Sequence, residues 1–213
     1  MKKLEFSLIL SFAFLLLACN TPDSFQTTLT APARAISDND IYVSDRFGTI
    51  HALRPDGTEQ WAVKLSAEIA RIANAPVSRD LIVEFLAADP NGKVFGLAME
   101  ESGGSRGQRI MFALDANRLL WQQEVPYPSK GKGSVTISRD SVVLAGNDGV
   151  LYSYDKSSGN LIWQYKVSNE HLGEPASGAD GTIYVTGVQH ELHAVGTDGT
   201  PQWVRSFSEE NSR

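Results

Sequence analysis

The residues able to do chemistry are few and poorly grouped. The chain holds one cysteine and four histidines. A single thiol excludes an internal disulfide and any zinc site built from several thiolates. His190 and His193 stand three apart. On a strand that spacing turns them to opposite faces, so they do not ligate together. Ser129-Lys130-Gly131-Lys132-Gly133-Ser134 has the flavour of a phosphate loop, but it departs from G-x-x-x-x-G-K-[ST] twice. Pro126 stands at the first glycine and Gly133 at the hydroxyl position, and the segment reads as a connecting loop. Asp38-Asn39-Asp40 hints at calcium, yet no twelve-residue loop of oxygen ligands follows. It aligns with Asp180-Gly181-Thr182 as a turn leading into a strand. No G-x-S-x-G nucleophile elbow occurs.

The one thiol stands in a telling context. Lys2 and Lys3 give a positive start, and Phe6 to Leu17 is almost wholly apolar. That run is too short for a membrane span, which needs about 20 residues. It has the length of the apolar part of a signal peptide. It ends in Leu16-Leu17-Ala18-Cys19, which resembles the bacterial lipobox. The resemblance implies cleavage after Ala18 and a diacylglyceryl thioether on Cys19. The expected domain limits are therefore 1–18 for the leader and 19–33 for the lipidated cysteine with a Thr- and Pro-rich tether. Residues 34–208 form the folded domain and 209–213 a polar tail. Such a chain is anchored to a membrane rather than spanning it. Asn20 stands where enterobacterial sorting uses aspartate for inner-membrane retention, which leans toward the outer membrane.

The remaining chemistry is that of a fold. The chain has 213 residues, 42 % hydrophobic and 21 % charged, enough for one domain with a sizeable core. Its formal charge is −6 and its pI about 5.2. Loss of residues 1–18, which carry Lys2, Lys3 and Glu5, takes the charge to −7. No basic surface exists to neutralise phosphates, so nucleic acid is not a partner.

Four tryptophans, Trp61, Trp121, Trp163 and Trp203, recur at intervals of 60, 42 and 40 residues. Each ends a similar phrase. A β-rich triplet opens it: Ile41-Tyr42-Val43, Val94-Phe95-Gly96, Val142-Val143-Leu144 and Ile183-Tyr184-Val185. A ring and a small residue follow: His51-Ala52, Phe112-Ala113, Tyr152-Ser153 and His193-Ala194. Turn pairs such as Asp56-Gly57, Ser158-Gly159 and Asp198-Gly199 punctuate the phrases. Short β-branched and aromatic runs between such turns are strands. The Ala62–Ala75 segment, the one weakly helical stretch after the leader, is read as strand plus linker or loop. A period near 40 with four strands per repeat predicts an all-β propeller of about four four-stranded blades. The small residue is expected where blades approach closely, and the tryptophan in the wedge between blades. Burying each such ring stabilises by roughly 2–3 kcal/mol.

The phrase of ring, small residue, four or five residues, Gly, three residues and Trp resembles the PQQ repeat of quinoprotein-like propellers. Asp155 to Trp163 is its best copy; the second phrase departs from it, with Ala116-Asn117 in place of the glycine. With the lipobox, the repeats are similar to those of the propeller lipoproteins of the outer-membrane β-barrel assembly machine. The resemblance implies a non-catalytic scaffold that binds other envelope proteins, tied to the membrane by its lipid. Quinone-dependent dehydrogenases of the repeat class use vicinal cysteines and a calcium site on a much longer chain, so no catalytic residue, cofactor or metal is assigned. An envelope enzyme or small-ligand sensor using the central channel is the other reading. The expected contact loops are 99–107 and Tyr127–Gly133. Four blades are few for this repeat class, which leaves a compact ring, a homodimer of two copies or a shortened product as ways to account for them.

Overall fold

In the computed structural model the described residues are 35–37, 40–75, 80–100, 107–125 and 133–207. Ala18, Cys19, the tether, Asp38-Asn39, and most of the 99–107 and 127–133 loops lie outside them.

Four antiparallel meanders follow one another along the chain. The first blade is β1 (Ala35–Ser37), β2 (Asp40–Ser44), β3 (Thr49–Leu53) and β4 (Glu59–Lys64). A helix, α1 (Leu65–Ala73), leads to the second: β5 (Leu81–Ala88), β6 (Lys93–Glu100), β7 (Arg109–Asp115) and β8 (Arg118–Glu124). The third is β9 (Ser134–Ile137), β10 (Ser141–Ala145), β11 (Val150–Asp155) and β12 (Leu161–Lys166). The fourth is β13 (Ala176–Ser177), β14 (Ile183–Thr186), β15 (Glu191–Val195) and β16 (Pro201–Ser206). Each strand pairs with its sequence neighbour, so every blade is closed by local hairpins and the fold is all-β apart from α1.

The turns hold because aspartates satisfy backbone N–H groups that would otherwise be orphaned. Asp56 Oδ1 accepts from Thr58 N at 2.9 Å, Asp180 Oδ1 from Thr182 N at 3.0 Å and Asp198 Oδ1 from Thr200 N at 3.0 Å. Asp89 Oδ1 does the same for Asn91 N at 2.9 Å.

The core lies between blades. One apolar cluster joins the first blade to the second through Tyr42, Ile50 and Ala52 against Leu81, Val83 and Leu86. The next joins second to third through Phe95, Met111 and Trp121 against Val142, Leu144 and Tyr152. The third joins third to fourth through Val143, Ala145 and Leu151 against Ile183, Val185 and Val195. Alternation along each strand feeds one cluster with one face and the next cluster with the other. Among the described residues no such cluster joins the fourth blade to the first, so the four blades form an open arc.

The structure corrects the reading of Ala62–Ala75 as strand plus linker or loop. Ala62–Lys64 complete β4, and Leu65–Ala73 are helical. Leu65 is fully buried and Ile69 packs on the same cluster, four residues on along one helix face. Glu68 binds the Arg71 guanidinium at 2.9 Å and accepts the Leu119 N–H of β8 at 3.3 Å. Asn74, in the left-handed region at φ 49°, closes the C-terminus. Tertiary packing on the first two blades thus makes a helix of a segment whose own periodicity is weak.

Candidate functional site

The residues that repeat from blade to blade build the surfaces by which one blade grips the next. Ala52 pairs in register with Trp61, Ala113 with Trp121, Ser153 with Trp163 and Ala194 with Trp203. All four small residues are wholly buried. Directly opposed side chains on paired strands stand close together. A small partner therefore leaves room for the indole. The ladder slips by one residue just after each small residue. Rings on the second strand flank three of the indoles: Tyr42 at 5.8 Å from Trp61, Phe95 at 6.2 Å from Trp121 and Tyr184 at 5.9 Å from Trp203.

Each indole of the second and third blades then reaches across to its successor. Trp121 Nε1 donates to the carbonyl oxygen of Lys156 at 2.9 Å, and Trp163 Nε1 to that of Thr197 at 2.8 Å. In both cases the indole lies against the glycine of the next blade's last turn. A β-carbon on Gly159 would fall 2.5 Å from Trp121, and one on Gly199 would fall 2.7 Å from Trp163. Glycine is needed there for contact as well as for its φ near +74° and +83°. The second blade departs from the pattern, as its sequence does: Ala116 makes the turn with φ 50°, and Trp61 packs among the residues of the first cluster.

The four tryptophans are not equivalent. Trp121 is 7 % exposed and Trp203 is 44 % exposed. All six residues of β16 are exposed, Val204 among them, and so is Phe207 just after it.

The candidate chemistry does not gather. His193 is buried, with Nδ1 3.1 Å from Tyr165 Oη and Nε2 3.5 Å from Glu191 Oε2. His190 lies in the β14–β15 turn with φ 58°, apart from it. His51, the ring of the first blade, has Nδ1 2.7 Å from Glu59 Oε2. Among the described residues no three of His, Cys, Asp and Glu come together as a metal site. Tyr154 has its acidity suppressed by burial, and secondarily by Asp148, which push its pKa up to about 12. It sits in the core between the second and third blades.

An open cleft of about 310 Å³ lies where the third and fourth blades meet, lined by residues 166–170 and 187–189 and by Glu191. No helix among the described residues is long and apolar enough to cross a membrane.

Sequence reasoning missed two features. The buried pair of Arg109 Nε and Glu84 Oε2, 2.6 Å apart, depends on a bulge at Glu84 that no local pattern announces. The docking of Trp121 and Trp163 on the following blade's glycine is the other. The regular recurrence of both residue types was its signal.

Among solved structures, BamB from Moraxella catarrhalis is similar with a TM-score of 0.61 at 20 % identity, over 84 % of this chain and 48 % of that one. A Bacteroides caccae protein of unknown function matches with 0.56 at 12 % identity, over 83 % of this chain and 60 % of that one. The computationally designed Ika8 protein matches with 0.56 at 14 % identity, over 81 % and 48 %. The chain thus spans about half the length of the propellers it resembles. No curated protein matches it by sequence. The family model described as outer membrane protein assembly factor BamB, of the PQQ-repeat type, matches residues 46–174 and 106–213. The two matches run through all four blades and span most of the chain, and the protein belongs to the BamB family of PQQ-repeat propellers.

Proposed function

We propose that the protein is a lipid-anchored, non-catalytic scaffold that holds other proteins at the cell envelope during assembly of outer-membrane proteins. The observation that carries this reading is the family match across all four blades. That family is named for assembly, which is the work of surfaces rather than of a reactive centre. Blades closed by short hairpins give a rigid frame, and loops on a rigid frame are where a propeller recognises partners. The anchor is the thioether on Cys19 after cleavage behind Ala18. The loops at 99–107 and 127–133 are the contact points.

The test is affinity capture from gently solubilised envelopes, with the tag at the C-terminus and Cys19 intact. Recovery of barrel-assembly components is the expected result. Cys19→Ser should release the protein from the membrane fraction and abolish that recovery. Replacing both loops by short Gly-Ser turns should weaken capture without unfolding the domain. Capture that survives both replacements removes the loops from the proposal, and capture of nothing removes the scaffold.

A further inference from the structure

Among the described residues, two halves of the blade-to-blade lock stand unmated, at opposite ends of the arc. Inside the chain the lock is complete at Trp121 with Gly159 and at Trp163 with Gly199. Trp203 is the corresponding indole of the fourth blade. It pairs with a buried Ala194 as the others pair with theirs, yet it is 44 % exposed. Gly57 is the corresponding glycine of the first blade, at φ +84°. Among the described residues nothing lies within 4 Å of a β-carbon placed on it.

The vacant receptor is built like an occupied one. Gly199 N donates to Gly196 O at 3.0 Å, and Gly57 N to Arg54 O at 2.9 Å. Thr200 closes on Asp198 with N–H and hydroxyl at 3.0 and 2.6 Å, and Thr58 closes on Asp56 with 2.9 and 2.7 Å. Pro55 holds the place of Thr197, whose carbonyl accepts the indole N–H of Trp163.

The geometry points to a second copy of this chain as the occupant of both ends. Trp203 of each copy docks on the Arg54–Thr58 turn of the other, and the carbonyl of Pro55 accepts its N–H. The contact is head to tail, and such contacts close when the rotations complete a turn. The arc overlies 48 % of a BamB chain, so two arcs make one ring and no blade face is left open.

Charge on the two faces agrees. At the junction of the third and fourth blades Tyr165 Oη meets His193 Nδ1 at 3.1 Å. The place of Tyr165 is taken in the fourth blade by Arg205, which is exposed. The place of His193 is taken in the first blade by His51, which has Glu59 Oε2 at 2.7 Å and Asp45 Oδ2 at 3.9 Å. Mating therefore brings a guanidinium to two carboxylates, which favours this pairing of ends.

The proposal is independent of the scaffold reading, and its test does not use partner capture. Native mass spectrometry of the full chain, released from membranes at micromolar concentration, should give twice the mass found under denaturing conditions. Trp203→Ala should give the single mass with an unchanged far-ultraviolet circular dichroism spectrum, because that indole is exposed within one chain. Gly57→Asn keeps a residue that tolerates positive φ but adds a β-carbon into the lock, and it should also give the single mass. Mixing the two variants restores one intact junction, so a two-chain species should return. Wild type at the single mass overturns the proposal, as does wild type bound only to a different protein. Doubling that survives both substitutions overturns it too.

Discussion

Trp121 in the second blade and Gly159 in the third fit so closely that a β-carbon on the glycine would fall 2.5 Å from the indole. Gly159→Ala faces two obstacles. Its backbone must hold φ +74°, and its methyl must displace a ring that is 7 % exposed and hydrogen-bonded to Lys156 O. The positive φ costs about 1 kcal/mol and the overpacking about 1–3. The expected loss is about 3 kcal/mol in urea unfolding. A loss below about 1 kcal/mol would mean that the blades slide apart without cost.

The sequence contains every element of this contact but not the connection. Gly159 stands four residues before Trp163, in the same phrase, and so reads as a turn belonging to its own hairpin. In space it serves Trp121 of the preceding blade. A repeat announces which residue types recur. It does not announce that one repeat's glycine receives the previous repeat's ring, because that relation depends on how sheets stack. Blade number and strand order follow from local hairpins, and these were legible; that each small residue pairs in register with its own blade's tryptophan was not. Helix α1 was not, because Lys64 provides no side-chain cap and the segment becomes helical by burying Leu65 and Ile69 on two blades. Nor was the Glu84–Arg109 pair, since a one-residue bulge redirects a side chain without a sequence signature.

Trp121→Ala should be among the most damaging substitutions in the chain. The indole fills the second cluster beside Phe95, and its N–H satisfies a carbonyl of the next blade. Truncating a buried ring of this size costs about 3–5 kcal/mol. Trp121→Phe keeps most of the apolar volume and loses the hydrogen bond, worth about 1 kcal/mol. Urea midpoints of the two variants should therefore be well separated. Equal midpoints would assign the whole effect to one term.

Glu84 and Arg109 test a different balance. Their side chains are 8 % and 4 % exposed and bind at 2.6 and 3.0 Å within the second blade. Removing one partner leaves a buried charge without its counter-ion, so Arg109→Leu should destabilise by about 3–5 kcal/mol. Replacing both by leucine removes the desolvation cost together with the attraction, and should recover most of that loss. A double-mutant cycle by chemical unfolding measures the difference. A double variant as unstable as the single one would show that Arg109 acts mainly through its other contacts.

The turn aspartates are expected to contribute to the acid limit of stability. Asp56 and Asp198 are held below the usual carboxylate range first by the hydroxyls of Thr58 and Thr200, and Asp155 and Asp180 first by the backbone N–H groups of Ser158 and Thr182. A lowered pKa in the folded state means that the unfolded chain takes up protons first as pH falls. The stabilisation is therefore complete above the unfolded value of about 3.9 and disappears as pH drops through the folded values. The melting temperature should be flat from about pH 7 to about pH 5 and fall below about pH 4. Changing all four aspartates to asparagine keeps a side-chain carbonyl to accept the same backbone N–H groups but removes the titration. The variant should melt lower at neutral pH and lose less on acidification, so that the two curves converge in acid. Parallel curves would place the acid transition in other carboxylates.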